Sequence, residues 1–413
     1  MQRRVVVTGR GVITPIGQDL ENVWESLING KSGIDRITSF DTAGYSSNIA
    51  AAVKDFDPIS YIDKKDIKKM SRFVQFAVVA TAKAMQEAQL DLEKEDLNQI
   101  GVCIGSGIGG MDVFEEQHKV LLEKGPRRIS PYLIPMLIID LASGWVSIIY
   151  GFRGPNSAVV TACASGANAI GDAVAIIKRG DAEVMIAGGT EAAITPLSFG
   201  GFCAARALST RNISPEEASC PFDMDRDGFV IGEGAGIVVL ESLEHAQKRG
   251  ASIYGEVIGY GLTGDAYHVT APRPDGQGAA KAMDMALKNA KISYEEVDYI
   301  NAHGTSTKLN DKCETSAIKE VFKEHAYKVP INSTKSMIGH LLGAAGSVEF
   351  IVSLMCMEKG KIHPTINYKN PDSECDLDYV PNKARESEIN IFLSNSLGFG
   401  GHNVALIGRK FKE

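Results

Sequence analysis

Cys163 stands where an apolar run, 157–162, gives way to the small residues Ala164, Ser165, Gly166 and Ala167. The pattern reads as a strand entering a helix, with the thiol at the junction. The unpaired N–H groups and the positive end of a helix dipole favour thiolate there, and the thiolate is the nucleophile. A buried structural cysteine is the competing reading, because free cysteine is commonly buried. His303 lies in the turn Asn301-Ala302-His303-Gly304-Thr305-Ser306-Thr307, and His340 closes Lys335-Ser336-Met337-Ile338-Gly339-His340. Either histidine alone reads as structural; together with the cysteine they suggest thiol chemistry with paired hydrogen-bond donors. Zinc uses the same residue types, but no two candidate ligands have its usual short spacing. Phe399, flanked by Gly398, Gly400 and Gly401, reads as a turn before a last strand, or as a backbone N–H aimed at an oxyanion with the ring as a gate.

These residues need a frame. Strand patterns fall at 4–8, 100–105, 157–162, 183–188, 235–241, 255–260, 299–302 and 389–394, and helical spacing at 72–89 and 278–290. The alternation predicts an α/β fold with helices covering a buried sheet. Each half carries a strand leading into a glycine-rich turn (104–110 and 300–306) and a helix of small residues (163–172 and 343–350). That repetition predicts two similar halves, 1–250 and 251–413, packed as one unit. The turn Gly105-Ser106-Gly107-Ile108-Gly109-Gly110 fits a dinucleotide fingerprint, yet residues 127–131 hold neither the second strand nor its acid. A turn lining another site is the better reading.

Composition narrows the class. A chain of 413 residues with net charge −8 is no natural nucleic-acid binder, since that calls for a basic surface. Seven scattered cysteines without a CxxC pair suggest a reducing compartment. The first apolar run is too short for a signal peptide. The stretch 131–152 is broken by Pro135, Asp140, Ser143 and Gly144, so it reads as core or subunit contact, not a membrane span. The expectation is a cytoplasmic enzyme.

The segments around Cys163 (161–166), His303 (301–307) and His340 (335–340), the 395–403 turn and the block 221–236 resemble the elongating β-ketoacyl-[acyl-carrier-protein] synthases, condensing enzymes of the thiolase superfamily. The resemblance runs nearly the whole chain, and its type II bacterial members are the nearest in pattern. It implies a thiolase-like fold, five-layered α-β-α-β-α with two similar halves, working as a homodimer. It implies that Cys163 takes an acyl chain from acyl-carrier protein and that malonyl-carrier protein then loses carbon dioxide to extend it. His303 and His340 would hold the malonyl thioester oxygen, the N–H groups of Cys163 and Phe399 the other oxyanion, and Lys335, paired with Glu314, would polarise the histidines. Ile108 and Phe202 would line the acyl pocket. Thr270, Thr305, Thr307 and Gly400 would meet the substrate, with Thr305 and Thr307 on the phosphopantetheine arm. No redox or organic cofactor is implied; a structural Na+ or K+ at Asn301, Glu349, Ser394 and Asn395 is. The acidic carrier would dock on Lys64, Lys65, Lys68, Lys69, Arg127, Arg128 and Arg206. Trp145, Ile338 and Cys203 depart from the common pattern and leave the substrate range open.

Three rivals remain. A polyketide ketosynthase shares the triad with another acyl group. A non-catalytic chain-length subunit would lack the nucleophile, and Cys163 is present. A thiolase acting on coenzyme A would want a second catalytic cysteine near 398–403, where there is none.

Overall fold

The computed structural model describes residues 3–412. Ten strands share one sheet: β1 (Val5–Ile13), β2 (Ile100–Gly105), β3 (Asn156–Ser157), β4 (Val184–Glu191), β5 (Gly234–Ser242), β6 (Gly255–Gly264), β7 (Tyr299–Asn301), β8 (Ile331–Asn332), β9 (Ile391–Gly398) and β10 (His402–Arg409). Their order is β8-β7-β9-β10-β6-β1-β5-β4-β2-β3. From β1 outward the pairings run antiparallel, antiparallel, parallel, parallel. From β6 outward they run the same way. The two series meet only where Val6 and Val7 pair with Glu256 and Gly255.

Helices fill the layers. α1 (Arg72–Ala88) and α3 (Leu141–Tyr150) cover one outer face, α6 (Gln277–Ala290) and α7 (Lys308–Phe322) the other; α4 (Ser165–Arg179) and α8 (Ala345–Lys359) form the middle layer. Between them in the chain lie α2 (Met111–Lys124) and α5 (Pro196–Ala204). The arrangement is the five-layered α-β-α-β-α thiolase-like α/β fold with two similar halves. The parallel strands are buried on both faces, which accounts for their unbroken apolar runs.

The small residues of α4 and α8 have a steric cause. A Cβ at Gly166 would stand 2.8 Å from the Gly343 carbonyl oxygen, and one at Gly346 would stand 2.7 Å from the Ala167 Cβ. The two central helices approach backbone to backbone, and larger side chains would force them apart.

Several boundaries differ from expectation. β1 reaches Ile13, past a register shift between Val7 and Gly9. β3 ends at Ser157 rather than 162, because the chain must turn toward the cysteine through Ala162 at φ +50°. The apolar stretch 131–152 forms the helix Leu133–Leu137 and α3, and leaves Ile134, Ile138, Ile148 and Ile149 exposed. It is therefore not core throughout. No helix among the described residues is long and apolar enough to cross a membrane.

Candidate active site

Cys163 occupies a 3-10 turn, Ala162–Ala164, directly ahead of α4. The strained Ala162 is held on both sides: the Ser165 hydroxyl donates to its carbonyl at 2.7 Å, and the Thr161 N–H donates to that hydroxyl at 3.0 Å. Strain of this kind persists only where neighbours over-determine it, commonly at functional sites. Burial pushes the Cys163 thiol up to about 12; the Lys335 charge and the Phe399 N–H oppose the push without overcoming it. The expected thiolate is corrected accordingly. A helix end supplies only a partial charge, which does not outweigh the desolvation of a fully enclosed sulfur. In this state Cys163 is a thiol.

Cys163, His303, His340 and Phe399 line one cavity of about 270 Å3. The imidazoles meet edge to face with ring centroids 5.2 Å apart. Burial, then the Lys335 charge, holds both well below the ordinary histidine range, so both are neutral at physiological pH. The Leu342 N–H donates to His340 Nδ1 at 3.3 Å, which leaves Nε2 as the N–H donor. His303 is fixed through its backbone: Glu314 accepts the His303 and Gly304 N–H groups at 2.8 Å each.

Lys335 lies behind this pair, 1% exposed, with Nζ 2.5 Å from Glu349 Oε1. The expected partner Glu314 is corrected to Glu349. Glu314 is committed to the histidine turn, and a buried ammonium requires the nearer carboxylate. Burial raises the Glu349 carboxyl to about 7 against the pull of Lys335.

Ile108, Phe202, Thr270, Thr305 and Thr307 also line the cavity, while Gly400 is exposed outside its lining. Thr307 serves twice: its hydroxyl lies 3.0 Å from that of Thr305 and caps α7 by accepting the Asn310 N–H. The turn 105–110 is no nucleotide cradle; Gly107 and Ile108 form cavity wall. Phe229, Asp265, Asn310, Leu342 and Asn403 line the cavity too, and sequence reasoning gave them no role. Phe229 lay inside the 221–236 block, and its ring meets His340 edge-on at 5.3 Å. Asp265 and Asn403, 138 residues apart, join by a 2.7 Å hydrogen bond that no local spacing announces.

Three of the residues expected to hold a cation present buried oxygens without partners: Asn301 Oδ1, Glu349 Oε2 and Ser394 Oγ. Ser394 pairs with Asn301 across the parallel strands β9 and β7. An all-oxygen set of this kind fits a hard cation, and buried polar atoms ordinarily have partners. Asn395 is turned elsewhere, its amide donating to Glu314 at 3.2 Å.

Of the expected docking residues, Lys64, Lys65, Lys68, Arg127, Arg128 and Arg206 are exposed; Lys69 is half-buried and paired with Asp66 at 2.7 Å. Lys65 faces Asp63 at 3.3 Å.

The profile of "Beta-ketoacyl synthase, N-terminal domain" matches residues 2–246, and that of "Beta-ketoacyl synthase, C-terminal domain" matches residues 254–369. The chain belongs to the beta-ketoacyl synthase family. It is 54% identical over 411 residues to the 3-oxoacyl-[acyl-carrier-protein] synthase 2 of Synechocystis sp., covering 100% of this chain and 99% of the relative. It is also 54% identical over 410 residues to the enzyme of the same name from Staphylococcus aureus strain COL, covering 99% of each. A solved type II polyketide ketosynthase in complex with its acyl-carrier protein superposes with TM-score 0.93 at 40% identity, covering both chains fully. The ishigamide ketosynthase/chain length factor gives 0.94 at 37%, again over 100% of each chain. This beta-ketoacyl synthase is accordingly a condensing acyltransferase.

Proposed function

We propose that this enzyme carries out the decarboxylative Claisen condensation of fatty-acid elongation in the cytoplasm. The observation that carries the proposal is the convergence of Cys163, His303, His340 and Phe399 on one cavity. The Cys163 sulfur attacks an acyl thioester on acyl-carrier protein, forming the acyl-enzyme and releasing the carrier thiol, which takes a proton. The N–H groups of Cys163 and Phe399 stabilise the tetrahedral oxyanion. Malonyl-carrier protein then enters, and the C–C bond to its carboxylate breaks to give carbon dioxide and an enolate. Neutral His303 and His340 donate N–H to the enolate oxygen as charge develops there. The enolate carbon attacks the acyl-enzyme carbonyl, the bond to sulfur breaks, the departing Cys163 sulfur takes a proton from solvent, and 3-oxoacyl-carrier protein leaves. Burial keeps both imidazoles neutral, and the Lys335 charge adds to it. Thr305 and Thr307 receive the phosphopantetheine arm, Thr270 meets the substrate, and Ile108 and Phe202 bound the acyl chain. Asn301, Glu349 and Ser394 would hold a monovalent cation that balances charge beneath the site.

The working unit is a homodimer, and acyl-carrier protein docks on the exposed lysines and arginines named above. A second reading, specialised polyketide extension, is favoured by the 40% identity to a type II polyketide ketosynthase. A panel of acyl-carrier substrates separates the two. The decisive experiment is mass spectrometry of the protein after incubation with acyl-carrier protein bearing a saturated acyl chain. We expect one acyl adduct on Cys163, absent in Cys163→Ala together with condensation. Condensation persisting in Cys163→Ala overturns the mechanism.

A further inference from the structure

The two halves build the same turn twice and use it differently. The 3-10 turn Ala162–Ala164 leads into α4, and Leu342–Ala344 leads into α8. The first residue of each has positive φ, +50° at Ala162 and +47° at Leu342. Cys163 and Gly343 are the matching central residues. Glu191, last in β4, pairs with Gly234, the first residue of β5; Gly398, last in β9, pairs with His402, the first residue of β10. The oxyanion pocket at Cys163 thus has a counterpart at Gly343, with Glu191 standing where Gly398 stands. A Cβ added to Gly398 would lie 3.2 Å from the Cys163 nitrogen and 2.7 Å from the Thr161 carbonyl oxygen, so glycine keeps that pocket open. At the counterpart the carboxylate of Glu191 fills the space.

Five donors converge on that carboxylate: the Ser106 hydroxyl (2.8 Å) and the N–H groups of Gly107 (2.7 Å), Ile108 (3.1 Å), Gly109 (3.3 Å) and Gly343 (3.0 Å). Its side chain is fully buried, and every hydrogen bond it makes is accepted. We infer that Glu191 is a positioning residue for the acyl-accepting thiol, a built-in anion that occupies the duplicate oxyanion pocket and clamps the Ile108 wall against Cys163. The inference rests on Cys163 being the acyl acceptor proposed above. Two consequences differ in kind. The clamp ties a turn of the first half to a turn of the second, because Ser106–Gly109 and Gly343 share one acceptor. The charge adds to burial, the chief cause, in opposing thiolate formation at Cys163. Burial pushes the Glu191 carboxyl up, and the five donors work against that push.

The test reads the thiol itself. The rate of Cys163 alkylation by iodoacetamide is followed against pH in native enzyme and Glu191→Ala, with sodium formate or sodium chloride at equal ionic strength. Removing a like charge should lower the midpoint by about one unit. Formate, entering the vacated pocket, should return it to the native value while leaving native enzyme unmoved. A native midpoint in Glu191→Ala, or a displaced one indifferent to formate, overturns the inference. Should Glu191→Ala fail to fold in either salt, Glu191→Gln decides. It keeps the side chain's bulk in the pocket and removes its charge, so it should move the midpoint downward; an unmoved midpoint overturns the inference. Native enzyme that alkylates at Cys163 but forms no 3-oxoacyl product would refute the condensation and leave this coupling intact.

Discussion

Lys335 adds its charge to the effect of burial on two histidines at once, and it does so from a fully buried position. Its charge helps hold His303 and His340 well below the ordinary range. Neutral imidazoles do not change charge until the pH falls far below 6.5, so malonyl decarboxylation should be flat between about pH 6 and 8. A rate that halves across that window, measured by carbon dioxide release, would contradict the assignment of both rings as neutral donors. Lys335→Met leaves the Glu349 carboxyl buried without its cation, and breaking such a pair costs about 3–5 kcal/mol. Urea unfolding should show that loss in Lys335→Met and recover most of it in Lys335→Met/Glu349→Gln. The same double variant removes a charge that lowered both histidine pKa values. Its acid limb should therefore move up toward the free-imidazole value, with the neutral form lost as the pH falls through it.

The short helix Leu243–Lys248 shows how an element is tied down by one carboxylate. Glu241, at the end of β5, accepts from the Thr8 hydroxyl, from Arg249 at 2.5 and 2.9 Å and from His245 Nδ1 at 2.5 Å; His245 Nε2 reaches Glu95 at 2.8 Å. Both ring nitrogens face carboxylates, so the imidazolium is the form that fits. Burial pushes Glu241 up, but Arg249, His245 and Thr8 bring it down to about 2 from 4.5. Its contribution, about 3 kcal/mol, is present above pH 4.5 and lost as the pH falls toward 2. The hydrogen bond to Glu241 is the chief cause that raises His245, whose contribution is complete below 6.5 and lost as the pH rises through the raised value. The urea midpoint should fall more steeply as the pH rises above 6.5 in native enzyme than in His245→Gln; equal slopes would remove the clamp. None of this network was legible beforehand, because its members come from three separate segments. Regular elements were easier. β2 and the 72–88 helix followed from apolar spacing, whereas β3 was misjudged because an apolar run does not reveal where the backbone must adopt positive φ. Cys163, His303 and His340 were legible through small-residue turns. The Lys335–Glu349 pairing was not: the expectation named Glu314, and only the packing of α8 beneath the site brings Glu349 to the ammonium.

At the scale of the whole molecule, β3 leaves the sheet with an exposed edge, beside a surface where Ile148 (68% exposed), Ile134 (58%) and Val160 (55%) face outward. An open edge flanked by apolar side chains is a surface that proteins cover, and the proposed dimer covers it with a second copy of the same edge. The consequence reaches the active site. The Gly110 N–H donates to the Leu137 carbonyl at 3.1 Å, and a Cβ at Gly109 would stand 2.8 Å from Ile139. The segment bearing Ile134 and Ile138 thus backs the turn that supplies Ile108 to the cavity wall. Ile148→Asp should give a monomer by sedimentation velocity at micromolar concentration, with acylation of Cys163 falling as the pocket wall loses support. A monomer of native activity would separate assembly from catalysis. Carrier docking belongs to the same scale, because a chain of net charge −8 must gather its basic groups locally to attract an acidic partner. Arg127 and Arg128 project from the turn Pro126–Arg128 that ends α2, and neither has a carboxylate within ion-pair distance among the described residues. Lys65 is already shared with Asp63. Charge reversal at Arg128 should therefore raise KM for carrier-linked substrate more than reversal at Lys65, with kcat held. The difference should shrink as salt rises, because steering acts over about 10 Å at 0.1 M ionic strength. Equal and salt-independent effects at the two positions would place the carrier elsewhere on the surface.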